Sequence, residues 1–194
     1  MKKIEFVYRE ILSNAIEKKE KQLTQAYLSR TLKISLSTVH LALQPLVRMY
    51  AIKVNPRSFR VIDTRKILYY WASIRNLEKD IVFKTRIEEP IKEIEKQIPN
   101  SSIFTAYSAY KFIFKDVPAD YSEVYVYDTL DIKKRWKENV NNPNLFVLQK
   151  DYALEHYSNV VPLAQLFVDL WNLKTWYAKD FLIALENRIG RMLE

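Results

Sequence analysis

The chain has 194 residues, 48% of them apolar, and a formal net charge of +8, which is enough for one large or two small cored domains. It has no cysteine and a single glycine, Gly190, which excludes disulfides, cysteine-based zinc sites and the glycine-rich phosphate loops of P-loop and dinucleotide-binding proteins. No apolar run reaches the ~18 residues of a membrane span, and the opening MKKIEFVYRE lacks a signal peptide's apolar core and cleavage site, so a cytoplasmic location and no membrane partner are expected.

Ile4, Val7 or Tyr8, Ile11, Leu12 and Ala15 recur at helical spacing and predict a first helix over 3–19, ending in the solvated run Lys18-Lys19-Glu20-Lys21. Two short helices follow. Thr24 is the candidate N-cap of one, with Leu28 and Leu32 a turn apart behind it, and Lys33 and Ile34 make the turn. Ser35 is the candidate N-cap of the next, its hydroxyl free to accept from the unpaired N–H groups of a helix start. Leu36, Val39, Leu43, Leu46 and Tyr50 give this helix its expected buried stripe. The opposite stripe is Ser37, His40, Leu41, Gln44 and Arg48, with Thr38 beside it. Small polar, amide and cationic groups on one exposed stripe are what a helix in a major groove needs. Pro45 predicts a kink, or a helix that ends and restarts, because it removes a hydrogen bond and collides with the preceding turn at a cost of ~3 kcal/mol. Ile52-Lys53-Val54 and Phe59-Arg60-Val61-Ile62 flank the polar loop Asn55-Pro56-Arg57-Ser58 and predict a hairpin with Arg57 at its tip.

Helix, turn, helix and basic hairpin in this order resemble the winged helix-turn-helix family of DNA-binding domains, as does the hydroxyl-rich SLSTV opening of the second helix. Lys33 departs from the family, which often has Gly or another small residue in that turn. The resemblance covers the first third of the chain and implies double-stranded DNA as partner. The expected DNA-binding residues are Ser35, Ser37, Thr38, His40, Leu41, Gln44, Arg48, Lys53, Arg57 and Arg60. Gln44 would pair with adenine and Leu41 would touch a thymine methyl. Arg48, Lys53, Arg57 and Arg60 would hold phosphates, with the minor groove open to Arg57. Charge is divided in keeping with this: residues 1–86 carry 18 Lys and Arg against 7 Asp and Glu, and residues 87–194 carry 13 against 16.

Asp63 or Thr64 can cap a helix over 64–77, with Ile67, Trp71 and Ile74 in one stripe that Leu68 and Tyr70 widen. It is either a spacer packed on its own chain or the contact of a homodimer on paired half-sites. Residues 1–79 are thus read as the DNA-binding domain with this linker helix, and 80–194 as an effector or partner-binding domain. DIVFKTRI (80–87) predicts a strand. Pro90 starts a helix that buries Ile91, Ile94 and Ile98. SSIFT (101–105), EVYVYD (123–128) and LFVLQK (145–150) predict strands, with a short helix over 106–114 and a polar helix over 130–140 around Trp136. A helix from Pro162 through Leu173 and another over 176–193 finish the chain. The expected fold class is α+β, a winged helix-turn-helix domain followed by a small α/β domain ending in two helices.

IFTAYSAYKFIF, DYSEVYVYD, NLFVLQKD and VPLAQLFVDLW together resemble the C-terminal domain of AbiEi-type antitoxins and related archaeal regulators, which is similar to the nucleotidyltransferase fold. That resemblance implies a transcriptional autorepressor and, as a partner, a toxin-like protein. An active nucleotidyltransferase needs a Gly-Ser turn and paired acids that hold Mg²⁺. Here the turn is Tyr107-Ser108, and Glu123 and Tyr125 occupy the alternating positions of the acids, so no enzyme is expected. No catalytic residue, metal ligand or cofactor is assigned. His40 and His156 are the only histidines, and neither has a triad motif around it. Tyr107, Tyr110, Tyr121, Tyr125 and Tyr127 fill a core and a protein interface, or line a ligand pocket, or stack single-stranded bases; the first use is the commonest. The alternative from another class is a protein-interaction module in which the winged helix is a scaffold.

Overall fold

Every residue from Glu5 to Ile16 of the first helix, α1 (Lys3–Ile16), is buried, so the helix is a central rod rather than an amphipathic cover. In the computed structural model, which describes residues 1–194, the chain is an α+β fold of eight helices and two small sheets. Its internal contacts form two units: Met1–Ile74 with Pro162–Ala164 and Ile189–Glu194, and Arg75–Val161 with Gln165–Arg188.

In the first unit, α2 (Gln25–Leu32), α3 (Leu36–Arg48) and α4 (Thr64–Ile74) pack on α1. The polar groups of α1 are hidden, so each needs a partner. Trp71 Nε1 donates to Glu5 at 3.0 Å, and Tyr27 Oη and Asn14 Nδ2 donate to Glu10 at 2.9 and 2.8 Å. The helix stops at Ile16 rather than 19, because the charged run Glu17–Glu20 has nothing to bury and Lys19 turns left-handed, φ 60°. Thr24 caps α2 by accepting from Tyr27 N at 3.0 Å, and Ser35 caps α3 by accepting from Thr38 N at 3.2 Å. Lys33 makes the turn between them at φ 50°, ψ 43°. β2 (Ile52–Val54) and β3 (Phe59–Val61) form the antiparallel hairpin, and a strand absent from the sequence expectations, β1 (Gln22–Leu23), pairs with the far side of β3.

Two expectations for this unit fail locally. Val39, Ala42, Leu43 and Leu46 are the buried residues of α3, whereas Leu36 is 55% and Tyr50 81% exposed. The buried arc is narrower than the apolar pattern, because Leu36 sits in the first turn and Tyr50 lies beyond the helix in a left-handed turn, φ 56°. Of the two alternatives at Pro45, the helix ending and restarting is excluded, since α3 continues through it. The carbonyl that loses its partner belongs to Leu41, on the exposed side, where water can replace the missing donor. Similarly, α4 ends at Ile74, not 77, and Ile74 is exposed while Ile67, Leu68 and Trp71 are buried.

The second unit is built on β4 (Ile81–Thr85), β5 (Ile103–Thr105), β6 (Val124–Asp128) and β7 (Leu145–Gln149), in the order β4-β7-β6-β5. β6 and β7 run parallel, and the outer pairs are antiparallel. All five residues of β6 are buried, as befits a central strand covered on both faces. Around the sheet lie α5 (Ile91–Gln97), α6 (Ala106–Phe114) and most of α7 (Leu163–Trp171) and α8 (Ala178–Leu193). Pro90 is the N-cap of α5 rather than its first residue. The polar helix expected over 130–140 is only a short turn, Asp131–Lys134. Ile132 is its one buried residue, and no second apolar stripe exists to hold a longer helix.

A charged cluster closes this core. Asp169 is fully buried, accepts from Thr105 Oγ1 and Tyr127 Oη at 2.8 Å each, and faces Arg75 Nε at 3.6 Å. Arg75 also donates to Tyr127 Oη at 3.1 Å and pairs with Asp80. Burial pushes the Asp169 carboxyl up, opposed by Arg75 and the two hydroxyls.

Candidate nucleic-acid interface

All ten residues of the expected DNA-binding set belong to the first unit. On α3 the 3.6-residue repeat puts Ser37, His40, Leu41, Gln44 and Arg48 on the side away from the buried Val39, Ala42, Leu43 and Leu46. Ser37, His40, Leu41 and Arg48 are exposed, and Thr38 and Gln44 half-buried. Ser35 Oγ lies 2.9 Å from Ser37 Oγ and 2.8 Å from Thr38 Oγ1, a cluster of three hydroxyls over the helix start. Gln44 Nε2 is 2.9 Å from His40 Nε2, so one side of the amide is held by the imidazole one turn back.

The hairpin supplies the rest. Lys53 and Arg60 are cross-strand partners, which puts both side chains on the same face of the sheet, and both are exposed. Arg57 is exposed in the loop between the strands. Leu23, Ile52, Phe59 and Val61 are buried. Arg48, Lys53, Arg57 and Arg60 make no hydrogen bond or ion pair with the chain, so their charge is uncompensated by any neighbour.

Sequence reasoning missed two features here. Gln22 is the cross-strand partner of Arg60 on its other side, completing the row Gln22, Arg60, Lys53. A two-residue strand leaves no alternation to detect, so only the polar Gln ahead of a helix cap could have hinted at it. The second is apolar: besides Leu41, which the sequence already placed on the exposed stripe, Leu36, Val47, Tyr50, Val54 and Ile62 are exposed on the same unit.

In the second unit, a groove of about 530 Å³ opens beside β6 and is lined by Glu123, Tyr125 and Phe146. Glu123 and Tyr125 are alternating residues at the start of β6, Glu123 just ahead of the strand and Tyr125 within it. No group of three or more His, Cys, Asp or Glu side chains is placed to hold a metal ion. Compared with known protein families, curated proteins and solved structures, the chain matches none.

Proposed function

We propose that the chain is a sequence-specific double-stranded DNA-binding transcriptional regulator, with the first unit acting as a winged helix-turn-helix domain. The observation that carries this reading is the set of four exposed, unpartnered cations, Arg48 at the end of α3 and Lys53, Arg57 and Arg60 on the hairpin that follows it, in the same unit as the polar face of α3. Free cations exchange counterions with a phosphate backbone, while the hydroxyls of Ser37 and Thr38, the ring of His40 and the amide of Gln44 offer donors and acceptors to base edges. No catalytic step belongs to this reading. The second unit is then an effector or partner-binding domain, and an AbiEi-like autorepressor is the most specific form of the proposal. A gel shift against random duplex at low and high salt is the first test: salt-sensitive retardation is expected, and its absence at low salt would remove the DNA role. Selection of bound genomic fragments then gives the operator.

The exposed apolar side chains Leu36, Leu41, Val47, Tyr50, Val54 and Ile62 favour a second reading, a docking surface for a protein. The same gel shift separates the two, because a protein dock has no reason to retard random DNA. A homodimer through α4 is checked by light scattering with and without DNA; a monomer in both conditions removes it.

A further inference from the structure

We propose that the groove beside β6 is a binding site for a small organic cation, an amine or amidine carried on a planar apolar group. The proposal concerns the second unit alone and stands whether or not the first binds DNA. The groove, about 530 Å³, lies in the size range of small-molecule sites. Its wall is aromatic: Tyr125 and Phe146 are neighbours across the parallel pair β6–β7, with rings stacked at 4.6 Å between centroids and 7° between planes. Aromatic rings attract cations and pack against planar apolar groups.

Glu123 supplies the charge. It lines the groove, is half-buried, and has one partner, the Tyr125 hydroxyl, which donates to it at 2.9 Å. No lysine or arginine pairs with it. Of the other charged groups in the lining, Glu78 pairs with Lys174 at 3.4 Å, while Glu138 and Lys84 are unpaired. A carboxylate drawn out of water without a cation is costly unless one arrives, and the aromatic wall selects an organic cation over a hydrated metal ion. Burial holds the Glu123 carboxyl above the usual carboxylate range, against the lowering effect of the Tyr125 hydroxyl. A bound cation favours the charged form, so the carboxyl titrates lower in the complex than in the free protein. Affinity is therefore full above the free protein's raised value and falls as pH drops through the window between the two. The other ionisable groups facing Glu123 are Tyr125 on its own strand, Tyr107 from α6, and the groove residues Glu78, Glu138, Lys84 and Lys174.

The test is calorimetric titration of the full chain with benzamidine, its neutral isostere benzamide, and benzoate. Benzamidine is expected to bind saturably, benzamide at least about tenfold more weakly, and benzoate weakest of the three. Benzamidine affinity should fall on acidification while benzamide affinity stays level. Glu123→Gln should bring the benzamidine-to-benzamide ratio near one, and Glu155→Gln, an exposed carboxylate outside the groove, should leave the preference in place. The isostere and pH comparisons need no variant, so a poorly folding Glu123→Gln chain does not blunt the test. Benzoate binding as well as benzamidine, no saturation up to about 10 mM, or a preference that survives Glu123→Gln would each overturn the proposal.

Discussion

In the first unit Arg48, Lys53, Arg57 and Arg60 stand exposed with no carboxylate beside them. In the second, Arg75, Arg86, Lys96, Lys111, Lys134, Lys174 and Arg188 each have one within ion-pair reach. The contrast also lies in balance, since residues 87–194 carry 16 acids against 13 bases. Paired surface charges cancel at short range and add little to stability, and unpaired cations there are offset by the acid excess, so the second unit projects little positive field. Unpaired cations gathered on one helix end and one hairpin repel each other mildly and project a positive field into solvent. Only Arg75 makes its pairing where the energetics are large, inside the core.

The largest effect tests the buried side of that contrast. Arg75→Leu leaves Asp169 buried without a cation and should cost about 3–5 kcal/mol in urea unfolding. The pH sign follows from the raised Asp169 carboxyl: without Arg75 it titrates higher still, and a carboxyl raised above its unfolded value loses stability as pH climbs past that unfolded value. The deficit should therefore be smaller near about pH 5 than near about pH 8; a deficit that grows on acidification would break the assignment. Next, Gln44→Ala should cost ~1–3 kcal/mol on a selected operator and relax preference at one base. Equal losses on operator and random duplex would refute the division between base-reading and phosphate-holding groups. Arg60→Ala should weaken all sequences alike and lower the salt slope by about one. As an exposed, unpartnered side chain it should leave unfolding unchanged within about 0.5 kcal/mol. The smallest effect is Lys33→Gly: relief of a left-handed residue, worth ~1–2 kcal/mol, is offset by ~0.4–1 kcal/mol of added freedom in the unfolded chain, leaving a net gain of about 0.5 kcal/mol at room temperature.

Local signals were the legible ones. The Thr24 and Ser35 caps, the hairpin around Arg57 and the alternation of Val124–Asp128 each depend on neighbours in sequence, and each forms. What failed depends on partners far along the chain. The polar face of α1 gives no hint that Glu5 would be met by Trp71, 66 residues on. Leu36 and Tyr50 match the apolar repeat, and only the extent of the packed arc leaves them outside it. The candidate DNA-binding residues were legible as a stripe because a helix fixes faces by spacing alone. The groove at Glu123 was half-legible: its β6 side chains drew notice as a missing acid pair, while Phe146 on β7 joins them only through the parallel pairing.

Seven residues other than glycine, Lys33 and Ala106 among them, take left-handed backbone angles in a chain whose single glycine does not. Each such turn trades distortion in the folded state for a less diverse unfolded ensemble. The distortion is an energy and hardly changes on heating, whereas the entropic return scales with absolute temperature. The advantage of Lys33→Gly should accordingly shrink as the protein is warmed, and a sequence written this way is better matched to hot surroundings than to cold ones.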